Sequence, residues 1–135
     1  GGAAQTKAMK KVAGPLRITL AQYRELAVFA QFGSELDRVT RNKLLQGERL
    51  LETLKQDQYS PLAAEDQVIL LYASVHEFLM DVPVKKVKRF NAGLLHFVQD
   101  KYPRIQAVLR ETGALDTETE ELLKTAIERY KASLN

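Results

Sequence analysis

Apolar residues recur along this chain at steps of three and four, and apolar-polar alternation is nowhere sustained for five or more residues. That periodicity restricts the chain to helices, each burying one stripe against its neighbours, so the expected fold is all-α: a helical bundle of about seven helices with short connections. A length of 135 residues with 45% apolar content suffices for one buried core. The strongest apolar run, Val68 to Val75, is far shorter than the roughly 18 residues a membrane helix requires. With no cysteine, disulfides and thiolate metal sites are excluded. The opening Gly1-Gly2 has no signal-peptide pattern, and the missing Met suggests a segment of a longer protein.

Proline and glycine place the joints. A short helix is expected from Ala3 to Val12, broken at Gly14-Pro15, then a second from about Leu16 to Phe32 with Leu20, Tyr23, Leu26, Ala27 and Ala30 on its buried face. Gly33-Ser34 ends it, and Ser34 with Asp37 resembles a weak capping box for a third helix reaching about Lys55. Leu44, Leu51 and Leu54 form one stripe there, shared by Gly47. That glycine marks either a close helix crossing or a tolerated defect costing about 1 kcal/mol. Residues 62–80 read as a central helix, apolar on most sides. A further helix from Pro83 buries Val84, Val87, Phe90, Leu94 and Val98, leaving Lys85, Lys86, Lys88 and Arg89 on a solvated face. Pro103 opens a segment to Arg110 capped by Gly113, and Asp116 starts the last helix with carboxylates at the positive end of its dipole.

No phosphate-binding glycine loop, dinucleotide turn, zinc-protease pair or nucleophile elbow occurs, so no catalytic residue and no metal ligand is assigned. His76 and His96 lie on separate helices without a second ligand at helical spacing and read as packing or surface residues. Glu65-Asp66 and Glu120-Glu121 sit at helix starts, where dipole compensation accounts for them. The net charge of +3 arises in residues 1–60, with ten Lys or Arg against six Asp or Glu. These cations are mixed with acids and lack interleaved aromatics, which argues against a nucleic-acid surface. By these residues alone the chain is a helical interaction domain.

Longer strings carry more information. Gly1-Gly-Ala-Ala-Gln-Thr-Lys-Ala-Met-Lys-Lys-Val-Ala-Gly14, Leu20-Ala-Gln-Tyr-Arg-Glu-Leu26, Phe29-Ala-Gln-Phe-Gly-Ser-Glu-Leu-Asp37 and Leu54-Lys-Gln-Asp-Gln-Tyr-Ser-Pro61 resemble, in order and without gaps, the α subunits of F-type ATP synthases. Glu65-Asp-Gln67, Asp81-Val-Pro-Val84, Arg89-Phe90 and Ile127 to Lys131 keep the outline to the C-terminus. The chain departs from the family at Lys85-Lys86, usually acidic or mixed, and at Glu77-Phe78, often Gly-Tyr.

The resemblance implies a non-catalytic, structural and regulatory C-terminal domain at the membrane-facing end of an α/β hexamer around a rotating γ shaft. The complex makes ATP from ADP and phosphate using a transmembrane proton gradient. The family's phosphate loop, magnesium ligands and cross-interface arginine all lie upstream of Gly1. Residues 1–14 would be the end of the nucleotide-binding domain and a linking helix, and 15–135 the bundle. By the same resemblance Gln56 and Gln58 align with glutamines lining the adenine pocket of a non-catalytic site; by spacing alone they are polar residues closing a helix. The turn Ser34, Glu35, Leu36, Asp37 would contact the rotor and the inhibitory ε subunit, or merely cap the next helix. Implied partners are β, γ and ε, with no nucleic acid; the cofactor of the intact subunit is Mg-ATP, with none held by this segment alone. The complex would be peripheral to a bacterial inner membrane or an organelle membrane, and the isolated segment a folded monomer. The competing expectation is a free-standing helical adaptor or nucleic-acid-binding module.

Overall fold

A computed structural model describes residues 6–31, 37–59 and 61–134, the side chains of Gln31, Asp57 and Tyr59 excepted. Within them lie six α-helices and one 3-10 turn: α1 (Lys7–Gln31), α2 (Arg38–Tyr59), α3 (Ala64–Val75), the turn Val84–Lys86, α4 (Val87–Lys101), α5 (Pro103–Thr112) and α6 (Thr117–Ser133). Among the described residues there is no strand. The central helix is α3, which packs on α1, α2, α4 and α5, while α6 closes the bundle against α4 and α5. Its seven consecutive buried residues, Val68 to Ser74, are why that segment is apolar on nearly every side.

One helix replaces the two expected before residue 32. α1 runs through Pro15 without a break. An interior proline costs about 3 kcal/mol. Burial on both sides offsets it: Ala8 and Val12 are in the core, and Leu16 and Leu20 pack against that same core. Tertiary contact overrides the local signal, so the count among the described residues is six where about seven were expected. The described part of α1 is capped by Thr6, whose Oγ1 accepts from Met9 N–H at 3.1 Å. Residues 3–5, where a helix start was expected, lie outside the described residues. Ala30 is exposed rather than on the buried face.

The α1–α2 crossing explains Gly47. A Cβ placed there would lie 2.5 Å from the Tyr23 ring, so the two backbones meet at a separation only glycine allows.

α3 also ends earlier than expected, at Val75 rather than near Met80. His76 is the C-cap, and Glu77 follows with φ of 67°. The Phe78 N–H reaches back to Ala73 O at 3.0 Å and the Glu77 N–H to Ser74 O at 3.2 Å, the paired bonds of a left-handed helix stop. Glycine occupies that position at no steric cost, whereas an L side chain there costs about 1 kcal/mol. Glu77→Gly is therefore expected to raise the unfolding free energy by about 1 kcal/mol, read from the urea midpoint. A destabilised variant would show that the Glu77 side chain contributes more than its backbone strain removes.

The remaining joints follow the expected chemistry. Pro83 precedes the 3-10 turn, so the α-helix proper starts at Val87 and buries Val87, Phe90, Leu94 and Val98; Val84 is only half-buried. Pro103 opens α5, and Gly113 ends it at φ 65° with its N–H on Leu109 O. Asp116 caps α6 by accepting from Thr119 N–H at 2.7 Å. Gly93 lets α6 approach α4: a Cβ there would collide with the Tyr130 hydroxyl, which donates to Phe90 O at 2.9 Å.

Candidate functional site

The sequence-assigned positions fall at the two ends of α2. At its start, Asp37 accepts from the Thr40 N–H at 2.7 Å, and the Arg41 N–H bonds Asp37 O at 3.0 Å. Asp37 is thus the N-cap of α2, satisfying donors that a helix start leaves open. The Thr40 N–H bond, with smaller help from Arg41 and Lys43, holds its carboxyl below the ordinary value of 3.8, so it stays charged at neutral pH while exposed. Ser34, Glu35 and Leu36 lie outside the described residues. Around the described part of this tip, Val28, Phe29 and Val39 are exposed apolar residues, each more than half accessible.

At the other end, Gln56 is half-buried and its Nε2 donates to Glu52 Oε1 at 3.2 Å, one turn back. Gln58 is exposed. Two residues along a helix are about 200° apart, so the two amides do not share a face. Two clefts lined by described residues are small. One of about 20 Å³ is lined by Leu54, Leu62, Leu70 and Leu71, and one of about 100 Å³ by Thr6, Ala8, Glu65 and Arg110 among others. Pockets that enclose a small molecule run to roughly 300 Å³ or more.

His76 and His96 do not converge with other ligands, and the described residues contain no group of three or more His, Asp or Glu able to hold a metal. His76 stacks on Tyr72 with ring centroids 4.1 Å apart, and burial lowers its pKa from 6.5. No helix among the described residues is long and apolar enough to cross a membrane.

The acids at helix starts do more than compensate dipoles. Glu120 accepts from Lys11 Nζ at 2.7 Å and from the Tyr72 hydroxyl at 2.8 Å, joining α6 to α1 and α3. Lys11 also donates to Leu115 O at 3.1 Å. Glu65 pairs with Arg110 at 3.1 Å, and Asp66 accepts from Gln106 at 2.8 Å, fixing α3 to α5. No periodicity reveals such partners, which are 40 to 109 residues apart. The only local clue is that Glu120 falls in the first turn, where its neighbours Glu118 and Glu121 remain largely exposed.

This junction sets a pH dependence. The Lys11 bond, then Tyr72, holds Glu120 below its ordinary 4.5, and the Lys131 bond does the same for Asp81. Carboxyls depressed in the fold contribute stability above their unfolded pKa, which is lost as pH falls through the folded one. His76, depressed by burial, removes stability as pH drops below 6.5, because the unfolded chain then binds the extra proton. Tyr72 and Tyr130 are raised by burial, Tyr72 also by Glu120, so stability falls again above pH 10, where only the unfolded phenols ionise. Urea midpoints from pH 3 to 11 should form a plateau from about 7 to 10. Glu120→Gln should cost about 1 kcal/mol at pH 7 and reduce the acid-side slope. An unchanged slope would remove Glu120 from that account.

Comparison with known proteins matches this arrangement. Residues 5–130 fit the family model "ATP synthase alpha/beta chain, C terminal domain". Over 131 residues, 97% of this chain, it is 60% identical to ATP synthase subunit alpha of Acetivibrio thermocellus. The corresponding figures are 54% for that of Caldanaerobacter subterraneus subsp. tengcongensis and 53% for the sodium ion specific subunit alpha of Acetobacterium woodii. In each case the chain spans 26% of the relative's length. An ungapped run of family strings, an all-helical bundle and a match covering nearly every residue together place this chain in the ATP synthase alpha/beta C-terminal domain family.

Proposed function

We propose that this chain is the helical, rotor-facing part of an F-type ATP synthase α subunit, structural and regulatory in role, with the chemistry performed elsewhere in the complex. The observation that carries this reading is the 60% identity sustained over 97% of the chain. Identity at that level over nearly the whole chain points to retained partners as well as a retained fold. In the intact subunit, residues 1–14 would lead from the nucleotide-binding domain into the bundle, although α1 itself continues across that boundary. The partners are β, γ and ε, the nucleotide is Mg-ATP, and the location is peripheral to the coupling membrane. The reaction served is ATP synthesis from ADP and phosphate driven by an ion gradient.

Two sites fit within this reading. The tip at Ser34, Glu35, Leu36 and Asp37 meets the rotor or ε, with the Asp37 charge presented from a capped helix start. A single exposed carboxylate pair is worth at most about 1 kcal/mol, so the contact regulates more than it holds. Gln56 and Gln58 offer amide groups to adenine in the assembled subunit. Because they point to different sides of α2, one of them makes the closer contact. The segment alone does not retain ATP at micromolar concentration, because amide bonds worth about 1 to 3 kcal/mol fall short of a millimolar complex.

A chimera tests the reading. This chain, replacing the matching C-terminal segment of the Acetivibrio thermocellus subunit alpha, should assemble and support ATP hydrolysis within about threefold of the parent complex. A chimera that folds but does not enter the complex would sink the proposal. Within an active chimera, Glu35→Gln with Asp37→Asn should alter ε inhibition while leaving assembly intact.

A further inference from the structure

We propose that the basic shelf carried by residues 84–89 is a docking surface for an acidic polypeptide segment of a partner protein. Lys85, Lys86, Lys88 and Arg89 are all exposed, and among the described residues none of the four makes an ion pair or a side-chain hydrogen bond. Unpaired cations elsewhere, such as Lys7, Lys10, Arg17 and Arg24, are spread over eighteen residues of α1 rather than gathered in five, and others are paired. Lys11, Lys55, Arg110, Lys124 and Lys131 each have a carboxylate within 4 Å. The acid nearest the shelf in sequence, Asp81, is already taken by Lys131 Nζ at 2.7 Å. Four like charges within five residues repel one another, and no described carboxylate lies within 4 Å of any of them.

The shelf is also held in place. Arg49 Nε donates to Leu79 O at 3.0 Å and Val82 O at 2.9 Å, and Lys131 Nζ donates to Phe78 O at 2.7 Å. Val82 before the cations and Val87 among them are buried in the core. The backbone carrying the charges is therefore anchored on both sides, so a partner meets a surface already shaped.

Three features favour an acidic polypeptide. The cations extend about 6 to 8 Å along the chain axis, the length of a run of carboxylates rather than of one phosphate. Phe90, the aromatic beside them, is buried and presents no ring for a base to stack on. Among the described residues the exposed large apolar side chains are Ile18, Val28, Phe29, Val39 and Leu134, and none belongs to residues 84–89, so the shelf itself carries nothing to insert into a lipid surface.

The test uses the whole 135-residue chain and a fluorescent poly-glutamate peptide of about twenty residues, titrated by anisotropy at low and physiological ionic strength. Replacing Lys85, Lys86, Lys88 and Arg89 by glutamine should weaken binding about tenfold or more. A control with the same charge change, Lys7, Lys10, Arg17 and Arg24 to glutamine, should weaken it by less than about threefold. Circular dichroism melting checks that both variants fold; if the shelf variant does not, Lys85→Gln with Arg89→Gln replaces it against Lys10→Gln with Arg17→Gln. Equal losses in shelf and control variants would reduce the effect to net charge and overturn the proposal. Tighter, shelf-dependent binding of a single-stranded oligonucleotide or of phosphatidylserine vesicles would overturn it in favour of those ligands.

Discussion

Arg49→Met is expected to lower the unfolding free energy by about 3 kcal/mol. Arg49 is buried without a carboxylate partner among the described residues; its guanidinium is satisfied by backbone carbonyls instead. Nε is shared between Leu79 O and Val82 O, and Nη1 donates to Leu45 O at 3.0 Å. Methionine fills similar volume but donates nothing, so the bonds from a charged donor are lost at about 1.5 to 3 kcal/mol each, although Leu79 O still accepts from the Val82 N–H. Removal of an unpaired buried charge returns part of that, which is why the expected value lies below the simple sum. Urea unfolding measures the loss, and amide exchange locates it. Protection should fall first at Val82, whose N–H bonds Leu79 O within the anchored segment. A cost under about 1 kcal/mol would mean that burial of Val82 and Leu79 alone holds the segment.

Gly47→Ala should destabilise by about 2 to 3 kcal/mol, although the same change on an exposed helix surface gains about 1 kcal/mol. The sign turns on Tyr23. The atoms within 2.6 Å of the added methyl include Tyr23 Cβ, which sits next to the backbone and cannot swing aside as a ring edge could. Relief therefore requires α1 and α2 to separate along their crossing. The double variant Tyr23→Gly, Gly47→Ala should be less destabilised than the two single changes added together, because glycine at 23 removes the Cβ and the ring that the new methyl would meet, so the clash is present in only one of the single variants. Additive losses, or a stabilised Gly47→Ala, would remove the close crossing as the reason for glycine at this position.

Much of the bundle is legible in the sequence. The three-and-four spacing specifies helices, and Pro103, Gly113 and Asp116 mark joints whose chemistry acts within one turn. The buried face Val87, Phe90, Leu94, Val98 and the solvated cations beside it follow from the same period. The role of Asp37 at the start of α2 was half visible, since its capping bond to Thr40 is three residues long. Its outward contact depends on a partner that the sequence of one chain does not contain.

The tertiary structure decided what local rules could not. Pro15 stays inside α1 because Ala8, Val12, Leu16 and Leu20 all reach one core, a gain that no window around the proline reveals. α3 stops at Val75 because Glu77 takes a conformation that its residue type disfavours, held there by two backbone bonds. Glu120 becomes a junction only when Lys11 and Tyr72, 109 and 48 residues away, are folded against it. Helix spacing is written in neighbours three and four apart and is readable one segment at a time. Which carboxylate finds which amine, and which helix can tolerate a proline or require a glycine, depends on how the segments stack, and that is a property of the whole bundle.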